Sequence, residues 1–151
     1  MESRAVQQWA MREVARQLAS PIFVVGMLQA WNYARTQVPV NGITQFHLLT
    51  MSRYVRMLDY QPTWRTTAVS FRDGGTASEW WHIPRQMGLL CDAMQDGPSD
   101  EDEVHEWVKR FLEIHPFEDG NGRVGSILYN LLMGTMETPQ MMPYYFGKEG
   151  Q

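Results

Sequence analysis

Apolar residues recur at helical spacing over most of the chain. Val6, Ala10, Val14 and Leu18 share one face of residues 4–19 with charges opposite, which predicts an amphipathic helix. Ser20-Pro21 predicts a break and a restart, because Ser caps a helix and Pro suits its first turn. The next helix, residues 22–37, is apolar early and polar late, so its first half is expected to be buried. Residues 39–42 form a loop, and Thr44 caps a third helix through Met57 with Phe46, Leu49, Tyr54 and Leu58 as anchors. His47 is expected to cap or pack. The period then changes. Residues 66–71 are rich in β-branched and aromatic side chains, Asp73-Gly74-Gly75 signals a tight turn, and residues 78–83 are aromatic again, which predicts a β-hairpin. Pro84 opens a helix to about Met94, ended by Asp96-Gly97-Pro98. Ser99, with Asp102 three residues on, predicts the cap of another helix, and the acids of residues 100–103 suit the positive end of its dipole rather than a metal.

The last two helices frame the densest chemistry. Val104, Trp107, Val108, Phe111 and Leu112 keep one face, and His115 closes it one turn later. Val124, Ile127, Leu128, Leu131 and Leu132 define a second helix starting near Gly122. Between them lies His115-Pro116-Phe117-Glu118-Asp119-Gly120-Asn121-Gly122-Arg123. The first turn of the second helix aims unpaired N–H groups and a positive dipole end into this connection, which suits a phosphate, and Gly120 and Gly122 let backbone approach an anion. Each residue alone suits an ordinary turn. Together, seven specified residues and one acid arise by chance in such a chain with a probability on the order of one in 10^8.

Composition narrows the setting. The 151 residues suffice for one domain with its own core, divided into N-terminal helices 4–37, a core of about 44–135 and a tail 136–151 that packs and then frays. One cysteine, Cys91, rules out an internal disulfide and suits a reducing compartment. A net charge of −4, with acids and bases mixed, leaves no basic footprint for nucleic acid. The longest apolar run, residues 22–28, is too short to span a bilayer and too far along to be a signal segment, so no membrane is expected and a cytoplasmic location is. Eleven methionines are read first as core filler, with an adaptable binding surface as the alternative.

The segment His115 to Arg123 resembles the signature of the Fic family, His-x-Phe-x-(Asp/Glu)-Gly-Asn-Gly-Arg-x-x-Arg, at every specified position but the last, where this chain has Ser126. The resemblance implies a mostly α fold, a helical bundle with one β-hairpin flap ahead of the motif helices. It further implies an adenylyltransferase-like (AMPylating) enzyme. His115 would be the general base that takes a proton from a Ser, Thr or Tyr hydroxyl of a target protein, and the hydroxyl would attack the α-phosphate of a nucleotide, usually ATP. Asp119 would hold Mg²⁺, Gly120, Asn121 and Gly122 would line an anion hole, and Arg123 would take a phosphate oxygen. Phe117 would pin the loop and Pro116 stiffen it. The flap, residues 66–83, would dock the target strand to strand, with Trp80 and Trp81 either packing or meeting substrate. An inhibitor protein in trans is a further partner, and a toxin, an effector or a housekeeping modifier are all roles the resemblance allows.

Position 126 opens three readings. The final arginine of the signature grips the outermost phosphate, so its replacement by Ser126 implies a donor without a γ-phosphate, another cation such as Arg65, Arg72 or Arg85 reaching in, or an attenuated protein that binds phosphate or a partner without chemistry. Phosphocholine-transferring relatives also lack the arginine but carry Ala where this chain has Gly120, and a Doc-like kinase fits less well because Gly120 and Gly122 are both present. Helical spacing puts Arg123, Ser126 and Asn130 on one polar stripe, expected to point toward the nest mouth, so an arginine at 126 is expected to raise ATP-dependent transfer. The restraining Ser/Thr-x-x-x-Glu-Gly/Asn helix of relatives has no counterpart: Glu149-Gly150 has Tyr145, not Ser or Thr, four residues before the glutamate.

Overall fold

The computed structural model describes residues 2–71 and 75–146. Among them, six α-helices follow in order: α1 Arg4–Arg16, α2 Phe23–Gln37, α3 Gln45–Val55, α4 Ile83–Ala93, α5 Glu101–Ile114 and α6 Asn121–Met133, so the fold is mostly helical. The helix α6 is buried on all sides, against α1, α2, α3 and α5, while α4 packs on α3 and α5. A helix apolar on most faces is stable only when surrounded, and α6 supplies the axis of the core. No helix among the described residues is long and apolar enough to cross a membrane. Six of the methionines, Met27, Met51, Met87, Met94, Met136 and Met142, are buried, in line with their role as filler.

Local signals fix several helix ends. The Ser3 hydroxyl accepts from the Val6 N–H and starts α1, whose buried face is Val6, Trp9, Ala10, Glu13 and Val14. Thr44 and His47 form a reciprocal cap on α3: Thr44 Oγ1 accepts from the His47 N–H, and His47 Nδ1 accepts from the Thr44 N–H. Gly26 lies where α2 meets α3, and a Cβ there would come within 2.4 Å of the Tyr54 carbonyl oxygen. Glycine is what lets these two helices touch backbone to backbone.

Other expectations are corrected. The first helix stops at Arg16, and Leu18 turns outward at φ 58° because the chain must reverse into α2. No side chain caps α2; the Phe23 N–H donates to the Ser20 carbonyl in a turn instead. Its buried residues, Gly26 to Ala34, favour the second half, since Ile22 and Val25 face outward. On α3 the expected anchors Leu49 and Tyr54 pack half-buried on the core, the fully buried apolar residues are Leu48, Met51 and Val55, and Phe46 is exposed. Asp100, rather than Ser99, caps α5; its carboxylate accepts from the Glu103 N–H, and Glu103 accepts from the Ser99 N–H in return.

The expected hairpin is reduced among the described residues to one isolated antiparallel bridge, Ser70 with Thr76. It is flanked by bonds from the Phe71 N–H to the Gly75 carbonyl and from the Ala77 N–H to the Val69 carbonyl. Residues 78–83 do not form its second strand: Trp80–His82 is a 3₁₀ turn that feeds α4, and Ile83 is already helical and buried. The burial of Ile83, Met87 and Leu90 on α4 overrides the β-propensity of the aromatic residues before it. Arg72 and the Asp73-Gly74 part of the turn signal lie outside the described residues, as does Glu149-Gly150.

Candidate active site

The helix α5 ends because His115 adopts a left-handed conformation, φ 52° and ψ 62°, with its N–H donating to the Phe111 carbonyl at 3.1 Å. Its own carbonyl accepts from Arg65 Nε at 2.5 Å. Phe117 then drops into the core, stacked on Trp64 at 5.6 Å between centroids and edge-on to Phe111 at 6.0 Å. The Asn121 side chain closes the turn from both directions: its amide donates to the Phe117 carbonyl and its oxygen accepts from the Phe117 N–H, each at 2.9 Å. Gly120, at φ 80°, precedes α6, and a Cβ there would lie 3.1 Å from Val55 Cγ1. A left-handed turn packed that closely requires glycine.

Asp119 Oδ1 accepts from the Gly120 N–H at 2.8 Å, and Oδ2 pairs with the Arg123 guanidinium at 3.2 Å. The Arg123 side chain is almost wholly buried; it also donates to the Val55 carbonyl at 3.3 Å and lies 5.0 Å over the Phe23 ring. The first intrahelical bond of α6 runs from the Val124 N–H to the Gly120 carbonyl at 3.0 Å. The N–H groups of Asn121, Gly122 and Arg123 therefore precede any helical acceptor, at the positive end of the dipole. They border a cavity of about 350 Å³, the size of a small-ligand site. One wall is His115, Glu118, Asp119 and residues 120–123; the other is residues 17–20 and Phe23 from the connection between α1 and α2.

The His115 imidazole is pushed down to about pKa 4, first by burial, then by the Arg65 cation, with Asp119 opposing. It meets the Phe71 ring edge-on at 5.3 Å and makes no hydrogen bond among the described residues. At neutral pH it is uncharged and has a free ring nitrogen with which to accept a proton. Asp119 has a side chain 71% exposed, so its carboxylate is open to solvent and to any cation that arrives with a phosphate. One carboxylate completed by phosphate oxygens and waters fits Mg²⁺, whereas no cluster of three His, Cys, Asp or Glu among the described residues would hold a metal alone.

The fold thus brings His115, Asp119, Gly120, Asn121, Gly122 and Arg123 to one cavity. It does not bring Ser126. That side chain is fully buried, its hydroxyl donating to the Arg123 carbonyl at 3.0 Å, and Asn130 Nδ2 donates to its carbonyl at 2.8 Å. The polar stripe runs into the interior, and Asn130 ends it by holding the Gln140 backbone and the Thr135 hydroxyl. An arginine at 126 would therefore start inside the core, which removes the geometric ground for a gain in transfer. Arg65 does not reach into the cavity either, because its donors are spent on carbonyls, and Arg85 is exposed on α4 away from it. Asn121 contributes its backbone alone, its amide being committed to the loop.

Two features had no sequence signal. The wall formed by residues 17–20 arises only when α1 and α2 pack beside α6. Glu118, at a variable place in the signature, accepts from the Thr66 N–H at 3.1 Å and the Thr67 hydroxyl at 2.8 Å, and the Thr67 bond heads the causes that hold its carboxyl below the usual range. A family model described as Fic/DOC family matches residues 38–133, from the end of α2 through α6 and including the whole signature loop. No curated protein matches the chain.

Proposed function

The chain belongs to the Fic/DOC family, and on that footing we propose that it is a Fic-type transferase that moves a nucleoside monophosphate from ATP to a Ser, Thr or Tyr hydroxyl of a target protein. The observation that carries the reading is the shared cavity: a neutral His115 faces the open N-terminus of α6, with Asp119 at the rim. The imidazole takes the hydroxyl proton as the hydroxyl oxygen bonds to the α-phosphorus, and pyrophosphate departs with the electrons of the broken P–O bond. The N–H groups of residues 121–123 and the Arg123 guanidinium hold the phosphate oxygens, whose charge builds during attack. Mg²⁺, held by Asp119 when the nucleotide is bound, would neutralise phosphate charge. The target docks along residues 66–83, where the short bridge at Ser70 and Thr76 offers edge backbone to an extended segment.

A second reading is favoured by Ser126. Its burial leaves Arg123 as the sole cation on the cavity among the described residues, already paired with Asp119, so a donor without a γ-phosphate suits the site. The two readings separate by the mass added to proteins when wild type and His115→Ala are incubated with ATP, Mg²⁺ and a cell lysate. A nucleoside monophosphate on Ser, Thr or Tyr, lost by about 10²–10⁴-fold in His115→Ala, supports the first. Another phosphate-linked mass supports the second. No addition by either protein means a binding module without chemistry.

A further inference from the structure

Arg65 is a buried cation whose charge meets no carboxylate side chain in a hydrogen bond among the described residues. Its guanidinium is wholly enclosed and donates instead to four carbonyls: Thr67 at 2.6 Å, Ser78, Ile114 at 3.1 Å and His115 at 2.5 Å. Its backbone N–H adds a fifth link, to the Pro116 carbonyl at 2.8 Å. Enclosing a charge is costly, and an apolar side chain of similar volume would fill the same space. What an apolar side chain could not do is join these particular carbonyls. Two of them, on Thr67 and Ser78, are the two feet of the segment that carries the Ser70–Thr76 bridge. The other two are the last carbonyl of α5 and that of His115 itself. A planar fork with five donors suits such a hub, and a lysine ammonium does not.

The same segment also touches the imidazole directly, through the edge of Phe71 at 5.3 Å. His115 is therefore gripped from behind through its carbonyl and from the front through its ring, both by way of residues 65–78. We propose that Arg65 is a positioning residue, which fixes the His115 imidazole relative to the target-docking segment so that docking and proton acceptance occur in one rigid frame. This rests on the reading of His115 as base and of residues 66–83 as the docking edge.

Arg65→Lys keeps a cation and loses the fork. The expected result is a fall in kcat of roughly a hundredfold, as a misplaced reacting group produces, with donor affinity unchanged because Arg65 does not border the donor cavity. The nuclear Overhauser contact between the His115 and Phe71 rings should weaken, and the His115 titration midpoint should rise from about 4 toward its ordinary 6.5 as the ring loosens into solvent. Arg65 and Asp119 are the charged groups that act on that ring. A folded Arg65→Lys protein with wild-type kcat and a wild-type His115 titration overturns the proposal. Should that variant fail to fold, Phe71→Leu tests the front contact at a half-buried position: reduced kcat with intact donor binding supports the frame, and unchanged kcat and titration overturn it. The titration needs no activity. If it shifts in Arg65→Lys while His115→Ala still transfers, the base assignment fails and the positioning of the ring stands.

Discussion

The signature loop and the docking segment are both connections between helices, yet they are held in opposite ways. Residues 115–123 carry several bonds within the loop, Asn121 to Phe117 in both directions and Asp119 to Gly120 and Arg123, with the Phe117 ring sunk between Trp64 and Phe111, beside the links that Arg65, Thr66 and Thr67 make to them. Among the described residues, 66–79 have of their own one isolated bridge and the two backbone bonds beside it, and are otherwise held by Arg65 and Glu118. A reacting group gains from being fixed before substrate arrives, whereas a docking edge must accept backbone of varied sequence. Bonding internal to the segment is concentrated where the chemistry is proposed.

This contrast can be broken most severely at Phe117. Truncation by Phe117→Ala should lower stability by about 3–5 kcal/mol, read as a fall in Tm, because the loop loses the ring that it buries against Trp64 and Phe111. If Tm holds, the loop is not pinned by this ring. Next comes pH. The folded-state pKa of His115 lies near 4, below the ordinary 6.5, so the native protein keeps the ring neutral while the unfolded chain protonates. The associated stability is present above about pH 6.5 and is lost as pH falls through 4, about 3 kcal/mol in all. Denaturant titrations of wild type and His115→Ala should diverge over that window; parallel profiles would show an unburied ring. Asn121→Ala strands the buried N–H and C=O of Phe117 and should cost about 1–3 kcal/mol, measured the same way. The smallest effect on stability is expected in the docking segment. Ala77→Pro removes one bond, to the Val69 carbonyl, and should cost about 1 kcal/mol. It should nevertheless block modification of the target while donor binding persists, and loss of donor binding as well would place the segment in the core instead.

The residues that could be read from sequence are those whose partners are near in the chain. The faces of α5 and α6, the Thr44–His47 cap and the place of His115 at the end of α5 follow from spacings of three or four residues. So does the gathering of His115, Asp119 and residues 120–123, because one short loop and one helix start hold them all. Local spacing falls short where distant chain decides. Periodicity places Arg123, Ser126 and Asn130 on one stripe but cannot say whether solvent or α1, α2 and α3 will lie beside it. Likewise Trp80–His82 favours a strand on composition, and the burial of Ile83 against the bundle draws it into a helix start. Sequence alone offers Arg65 only as a cation that could reach a phosphate, since nothing local announces four carbonyls arriving from residues 67, 78, 114 and 115.

The turn at residues 17–20 lies outside the stretch that matches the family, which begins at residue 38, yet it walls the cavity opposite the signature. Chemistry and enclosure are therefore written in separate parts of the chain and can drift independently. Exchanging this turn between relatives would alter which molecule fits without disturbing the residues that act on it, and a chain trimmed to the matching segment would retain every signature side chain while facing an open half-pocket.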